Sequence, residues 1–201
     1  MKNNENLVLD GKNVILVPYR KEHVERYNEW MKSEELLELT DSEPLSLQEE
    51  YEMQESWKND NDKCTFILLS KEPGTKSNAQ NWRDLNRMVG DVNLYINDIY
   101  DKERAEIEVM IAEPEFRGKG IASEALKILM CYALKALGIS KFYCRILEKN
   151  VQSIKLFSNL GYKITERSEY FKQVTLELEM TEDKRKELME YLIHVKEYDY
   201  N

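Results

Sequence analysis

One segment, AEIEVMIAEPEFRGKGIASEAL from Ala105 to Leu126, restricts the possible folds more than any other. Its first eight residues alternate, with Ile107, Val109 and Ile111 on one side and Glu106, Glu108 and Met110 on the other. That is the period-two pattern of a strand. A turn of two glycines and two cations follows, Arg117, Gly118, Lys119 and Gly120. Beyond it, a run interrupted chiefly by Glu124, Lys127 and Lys135 predicts a helix from about Ala122 to Leu137. The run is apolar almost all round, so the helix should be buried against a sheet, and Gly138 is placed to end it. Glycine costs backbone entropy, so two in one turn imply an unusual conformation or a close approach by another group. A strand, a cationic glycine turn and a helix N-terminus together can hold phosphate. Backbone N–H groups converge there, and the helix dipole favours negative charge.

The remaining elements set this unit in a mixed α/β fold. NVILVPY (Asn13–Tyr19) reads as a strand, and RKEHVERYNEWMKSEELLEL as helix, with Val24, Tyr27 and Met31 at helical spacing. Ser46 and Glu49 form a capping box that opens a second helix through Trp57. CTFILL (Cys64–Leu69), MVGDVNLYI (Met88–Ile96) and AEIEVMIA follow as three strands whose short joins favour antiparallel pairing. The polar stretch from Lys71 to Arg87 reads as a solvated, mobile loop within the domain. The helix after the glycine turn then serves as a crossover to KFYCRIL (Lys141–Leu147). VQSIKLFSNL is a short helix ended by Gly161, YKITERS and VTLELEM are strands, and a charged helix from about Thr181 closes the chain. The 201 residues fit one domain, 1–201.

Composition narrows the partners. A formal net charge of −9 argues against nucleic-acid binding, which needs a dominant basic surface. Cys64, Cys131 and Cys144 are odd in number, with no CxxC and no Cys/His cluster, so neither a metal site nor a disulfide framework is expected. They read as reduced, buried thiols. The N-terminal stretch lacks the apolar core of a signal peptide, and the longest apolar run, Ile128–Leu134, is too short to span a bilayer. A cytoplasmic or nuclear location, with no membrane partner, is the expectation.

The choice of phosphate ligand is then a matter of motifs. RGKGIAS lacks the G-x-x-x-x-G-K-[ST] frame of a P-loop and has no hydroxyl straight after Lys119. Gly118 and Gly120 fit the first two positions of a dinucleotide fingerprint, but Ser123 stands at the third, and the turn follows antiparallel strands. A purely structural turn remains open on the glycines alone. At these residues the chain resembles a family. RGKGIA fits the Q/R-x-x-G-x-G/A signature of the GCN5-related N-acetyltransferases, and EKNVQSIKLFSNLGYKI resembles their later helix. Four blocks, from VPY through the first helices, DKCTFI, MVGDVNL and EIEVMIAEP with RGKG, are similar to the eukaryotic N-acetyltransferase 9-like proteins.

That resemblance implies a mostly antiparallel sheet with one splayed parallel pair, which holds acetyl-CoA. It implies that the backbone of Val109, Met110, Ile111 and Ala112 pairs with the pantetheine arm. The pyrophosphate would lie on N–H groups from Arg117, Gly118, Lys119, Gly120, Ile121 and Ala122, with charge from Arg117 and Lys119. Asn150, Ser153 and Phe157 match later positions along the arm. For direct attack of an amine on the thioester, Glu106 and Glu108 are candidate bases, Glu106 ranked first, and an N–H near Met110 would polarise the carbonyl. Many family members carry a tyrosine acid where this chain has Phe157, so Ser153, Tyr162 or water would have to protonate the thiolate, although Tyr162, straight after Gly161, reads first as a strand-start core aromatic. The acids Glu34, Glu35, Glu38, Asp41 and Glu43 would greet a cationic amine. The implied acceptor is a protein amine, with tubulin at its N-terminus as substrate or partner. A weakly catalytic binding module and a small-amine acetyltransferase are the rival expectations.

Overall fold

A computed structural model describes residues 1–72 and 78–201. Its strands are β1 (Leu7–Asp10), β2 (Val14–Pro18), β3 (Lys63–Ser70), β4 (Met88–Tyr95) and β5 (Arg104–Ile111), then β6 (Lys141–Leu147), β7 (Lys163–Ser168), β8 (Gln173–Glu179) and β9 (Lys196–Asp199). Its helices are α1 (Val24–Trp30), α2 (Glu34–Leu39), α3 (Leu47–Asn59), α4 (Ala79–Trp82), α5 (Ile121–Tyr132), α6 (Val151–Asn159) and α7 (Glu182–Tyr191). The strands form one sheet in the order β7-β8-β6-β5-β4-β3-β2-β1-β9. Every pairing is antiparallel except β5 with β6, which α5 joins as a crossover. The mixed α/β fold expected from the sequence is therefore present.

The alternation of β5 places its two sides in different cores. Ile107, Val109 and Ile111 pack in the layer with α5 and α6, whereas Met110 joins Tyr27, Trp30 and Met31 under α1. Helix α5 is buried almost all round because it packs against β2, β4, β5 and α7 together. It widens into a π-helical turn, Ala133–Leu137, before Gly138 ends it. On the opposite layer, Trp30 Nε1 donates to Glu113 at 2.8 Å and Arg26 pairs with the same carboxylate, so α1 is tied to the end of β5.

Four local expectations need correction. The first helical stretch breaks at Lys32, where Ser33 caps α2 by accepting the Leu36 N–H at 3.4 Å. The 71–87 stretch is not all loop. Asn78 caps α4, a 3₁₀ turn spans Leu85–Arg87, and the Trp82 ring lies 5.1 Å from Tyr198. The expected mobility of this stretch falls partly on residues 73–77, outside the described residues. Two strands were unforeseen. β1 is four residues long, and α7 does not close the chain, because β9 follows it and pairs Leu7 with Asp199. Tyr200 pins β9 from beneath, buried against the Arg20 guanidinium 4.4 Å from its ring. Among the described residues no helix is long and apolar enough to cross a membrane.

A bulge shapes the centre of the sheet. Leu68 pairs with Gly90 and Leu69 with Met88, so Val89 is an extra residue on β4. Its carbonyl accepts the N–H groups of Ala112 at 2.9 Å and Glu113 at 3.3 Å, which holds the end of β5. A Cβ at Gly90 would run into the Met110 carbonyl oxygen. Gly90→Ala should therefore cost about 1–3 kcal/mol through forced backbone displacement. A lowered denaturation midpoint with an unchanged m-value is the expected result.

Candidate active site

The parallel pairing of β5 and β6 covers only Arg104–Glu106 against Lys141–Tyr143. Beyond it the strands part, and a cleft of about 1090 Å³ lies between them, walled by α1–α3 on one side and α6 on the other. Backbone groups in a strand point alternately to the two edges. Since the Ala112 N–H is bonded to Val89, the backbone of Met110 and Ala112 faces β4, and that of Val109 and Ile111 faces the gap. This corrects the expected donors. Met110 and Ala112 are engaged in the β4 ladder, so an N–H that polarises a bound carbonyl has to come from the open edge.

At the end of β5 the glycine turn opens over the cleft. Gly118 and Gly120 have φ of 71° and 81°, and a Cβ at either would meet nothing within 4 Å. The first intrahelical bond of α5 runs from the Glu124 N–H to the Gly120 carbonyl at 3.0 Å. Ile121, Ala122 and Ser123 therefore present N–H groups with no partner inside the helix. These residues fit a pyrophosphate. The Arg117 N–H does not, since it donates to Pro114 at 3.1 Å. The Arg117 guanidinium also has partners, with Nε on the Ile111 carbonyl at 3.0 Å and Nη1 on Glu35 at 2.9 Å. Lys119 folds back, its Nζ 5.3 Å from the Phe116 ring centre. The Glu124 carboxylate anchors this end of α5 to the β1–β2 turn, accepting from the Lys12 N–H at 2.5 Å and the Asn13 side chain at 2.8 Å.

The floor of the cleft is a polar row across the sheet. Register places Lys63 opposite Tyr95, Asn93 opposite Glu108, and Tyr95 opposite Glu106. Glu106 is buried and ion-paired with Arg145 at 3.2 Å. Glu108 reaches solvent through the mouth of the cleft but is enclosed by the walls. That enclosure, reinforced by the Glu106 charge and opposed by Lys63, pushes its carboxyl up to about 7. Asp91 is fully buried and raised to about 6 for the same reason, although it accepts from the Asn93 side chain at 2.6 Å. Lys63 is only 4% exposed, its ammonium 3.6 Å from the Trp57 ring centre and 3.5 Å from that of Tyr95. Burial lowers it to about 8.

On the α6 wall, Asn150 both caps the helix, accepting the Ser153 N–H at 3.1 Å, and lines the cleft beside Ser153 and Phe157. Tyr162 does not reach the cleft. It lies behind Phe157, ring centres 5.0 Å apart, and its hydroxyl donates to Met130 Sδ at 3.3 Å, so its candidacy as an acid is withdrawn. The acids expected to greet an amine are partly engaged: Glu35 by Arg117, Glu38 by Lys149, and Asp41 by Gln173 at 3.4 Å. The three cysteines are free and buried. Lys63, Asp91, Asn93, Tyr95 and Arg145 were not foreseen. For Asp91, Asn93 and Tyr95 the signal was their polar alternation along β4, between Val92 and Leu94.

Comparison with known proteins gives a consistent picture. A family model described as "Acetyltransferase (GNAT) domain" matches residues 13–163. A mouse protein, "Alpha/beta-tubulin-N-acetyltransferase 9", is 48% identical over 206 residues, covering 100% of this chain and 82% of its own. An "N-acetyltransferase 9-like protein" of Nematostella vectensis is 49% identical over 179 residues, covering 89% of each. The solved spermidine N-acetyltransferase from Vibrio cholerae, in complex with CoA and spermine, shares the fold. Its TM-score is 0.69 at 19% identity, covering 86% of this chain and 98% of that one.

The buried acid at the centre of the floor has a measurable cost. Its folded-state value lies above the 3.8 of a free aspartate, so it contributes stability only at low pH and loses it as pH rises towards 6. Asp91→Asn does not titrate. It should raise stability by about 1–3 kcal/mol at pH 8, a gain that shrinks below pH 5. Thermal midpoints across that range check the sign.

Proposed function

The chain belongs to the GNAT acetyltransferase family, and on that premise we propose that it acetylates a protein amine, with the N-terminus of tubulin as the acceptor. The observation that carries the reading is the open edge of β5 at Val109 and Ile111. It runs from the glycine turn to the carboxylates of Glu106 and Glu108, which puts a phosphate site and a base on one cleft. The name of the mouse relative, which matches the whole of this chain, supports tubulin.

Acetyl-CoA supplies the activated acetyl group. The N–H groups of Ile121, Ala122 and Ser123 hold its pyrophosphate, and Lys119, in the same turn with its Nζ 5.3 Å from the Phe116 ring centre, is the cation at hand to add charge. The open edge of β5 orients the arm and gives the thioester oxygen a donor. The acceptor arrives as an ammonium and must lose a proton before it attacks. Glu108 takes that role ahead of Glu106, because Arg145 neutralises Glu106 while enclosure brings Glu108 near the working pH. As the C–N bond forms and the C–S bond breaks, the thiolate leaves and needs a proton. Phe157 has none to give, so the second proton shed by the attacking nitrogen as the amide forms passes to the thiolate through the Ser153 hydroxyl or water, which takes up one proton as it gives another. The same Phe157 favours a second reading, a CoA-binding module with little turnover.

Thiol release from acetyl-CoA in the presence of tubulin N-terminal peptides separates the two. Peptide-dependent release is expected, and acetyl-CoA binding without any release would overturn the catalytic reading. In the active enzyme, kcat/KM should rise with pH through about 7 as Glu108 loses its proton. Glu108→Gln should abolish that limb and lower kcat by about 100-fold or more. Gly120→Glu forces a side chain into a left-handed position and sets a carboxylate at the N-terminus of α5. Its CoA affinity, measured by calorimetry, should fall by about 100-fold, near 3 kcal/mol.

A further inference from the structure

Beyond the base and the phosphate turn, the α1–α3 wall of the cleft carries an acid with no assigned role. Glu50 sits in the first turns of α3, is 1% exposed, and lines the cleft. Asn28 lies within its reach, yet its Oε1 has no hydrogen-bond partner among the described residues. A buried carboxylate oxygen without a donor is costly, and a native site that keeps one is set up for a ligand that brings the donor. Asp91 and the ring of Tyr27 line the same cleft, the Tyr27 hydroxyl 3.5 Å from Asp91 Oδ2.

Charge on the lining points to the sign of that ligand. Glu50, Asp91, Glu106 and Glu108 face the cleft. Against them stand Arg145, which is paired with Glu106, and Lys63, which lies behind the rings of Trp57 and Tyr95. Towards the rim the lining adds Glu35, Asp41 and Glu43 against Arg117 and Lys155, so acids outnumber cations throughout. The reacting ammonium, approaching Glu108, answers part of that excess. Glu50, whose Oε1 lacks a donor, is the place for a second positive group. The wall suits a cation chemically, because the Tyr27 ring lines the cleft there, and an aromatic face attracts a cation as the Trp57 and Tyr95 rings do for Lys63 at 3.5–3.6 Å.

We propose that Glu50, with Asp91 and Tyr27, forms a second cation subsite that binds a positively charged group of the acceptor other than the amine that reacts. The occupant is an ammonium or guanidinium on a basic side chain close to the N-terminal amine of the acceptor peptide. This rests on the acetyl-acceptor reading above and adds a selectivity rule to it. The subsite discriminates by charge, since a neutral group of the same shape leaves the buried carboxylate unpaired.

The test uses the full chain and peptide pairs that differ only by arginine or citrulline at the second or third residue. The expected result is that wild type prefers the arginine peptide by about 10-fold or more in kcat/KM at one of these positions, mainly through KM. In Glu50→Gln that ratio should collapse towards one. A merely structural role for Glu50 would lower both peptides together and leave the ratio intact, which would overturn the proposal. Equal turnover of arginine and citrulline peptides by wild type would also overturn it, with the acetyltransferase reading untouched and no variant needed. The same pairs, titrated calorimetrically into the CoA complex, cover the remaining case. An arginine preference in binding without turnover keeps the subsite and removes the catalytic reading. Spermidine against propylamine is the parallel arm. Selectivity there and none among peptides would assign the second cation to a polyamine and overturn the peptide form of the proposal.

Discussion

Everything in this molecule follows from the point where β5 and β6 stop pairing. Parallel strands normally continue their ladder, because a buried N–H or C=O without a partner is expensive. Here the ladder lasts three residues on each strand and then opens. The surrounding structure keeps it open. The Val89 bulge grips Ala112 and Glu113 from one side, Arg117 holds the Ile111 carbonyl from the other, and α5 fills the layer beneath. Glu124 then fastens α5 to the β1–β2 turn through main-chain donors, so the glycine turn is fixed from both ends. The gap is held open from both sides, and apart from the Ile111 carbonyl, which Arg117 occupies, the β5 edge at Val109 and Ile111 faces it, so a ligand that can pair with a strand completes it.

The second organising feature is the polar row on the floor. A sheet covered on both faces normally carries near-continuous apolar residues. This one instead threads Lys63, Asp91, Asn93, Tyr95, Glu106, Glu108 and Arg145 through its centre. Lys63, Asp91, Asn93 and Glu106 are buried at a cost, and the side chains offset one another only in part: the exposed Arg145 answers Glu106, aromatic rings face Lys63, and Asn93 supports Asp91. The shortfall shows as displaced proton affinities of Asp91, Glu108 and Lys63, all moved towards neutral pH. Such a cluster is poor material for stability and good material for moving a proton.

Local rules in the sequence carried much of this, and their failures share one cause. The Ser46 cap, the alternation of β5, the glycine turn and the exact span of β6 are short-range features, legible from neighbouring residues. β1 and β9 were not legible because each is four residues long and each pairs with chain far away in sequence. Tyr162 stood as a substitute acid only because Phe157 has no proton to give, while its place after Gly161 reads as a core aromatic at a strand start. Only packing reveals that its hydroxyl points at Met130. Met110 and Ala112 were named as donors by motif, but the edge a strand residue faces is set by ladder register, which a single sequence does not print. Asp91 and Glu50 were missed for the opposite reason. Asp91 is one acid in an apolar strand and Glu50 one among several on a polar helix, and only the fold puts the two on one cavity.

The ties between Glu35 and Arg117, Glu38 and Lys149, and Asp41 and Gln173 have a kinetic meaning. All three reach from the α2 segment across the cleft to its far rim, which makes them latches on the entrance. Two are ion pairs with at least one solvent-exposed partner, so added salt weakens them, while the buried floor is screened far less. Ionic strength thus acts on the gate and the chemistry separately. Moderate salt should hasten entry and release long before it disturbs the groups that transfer the proton.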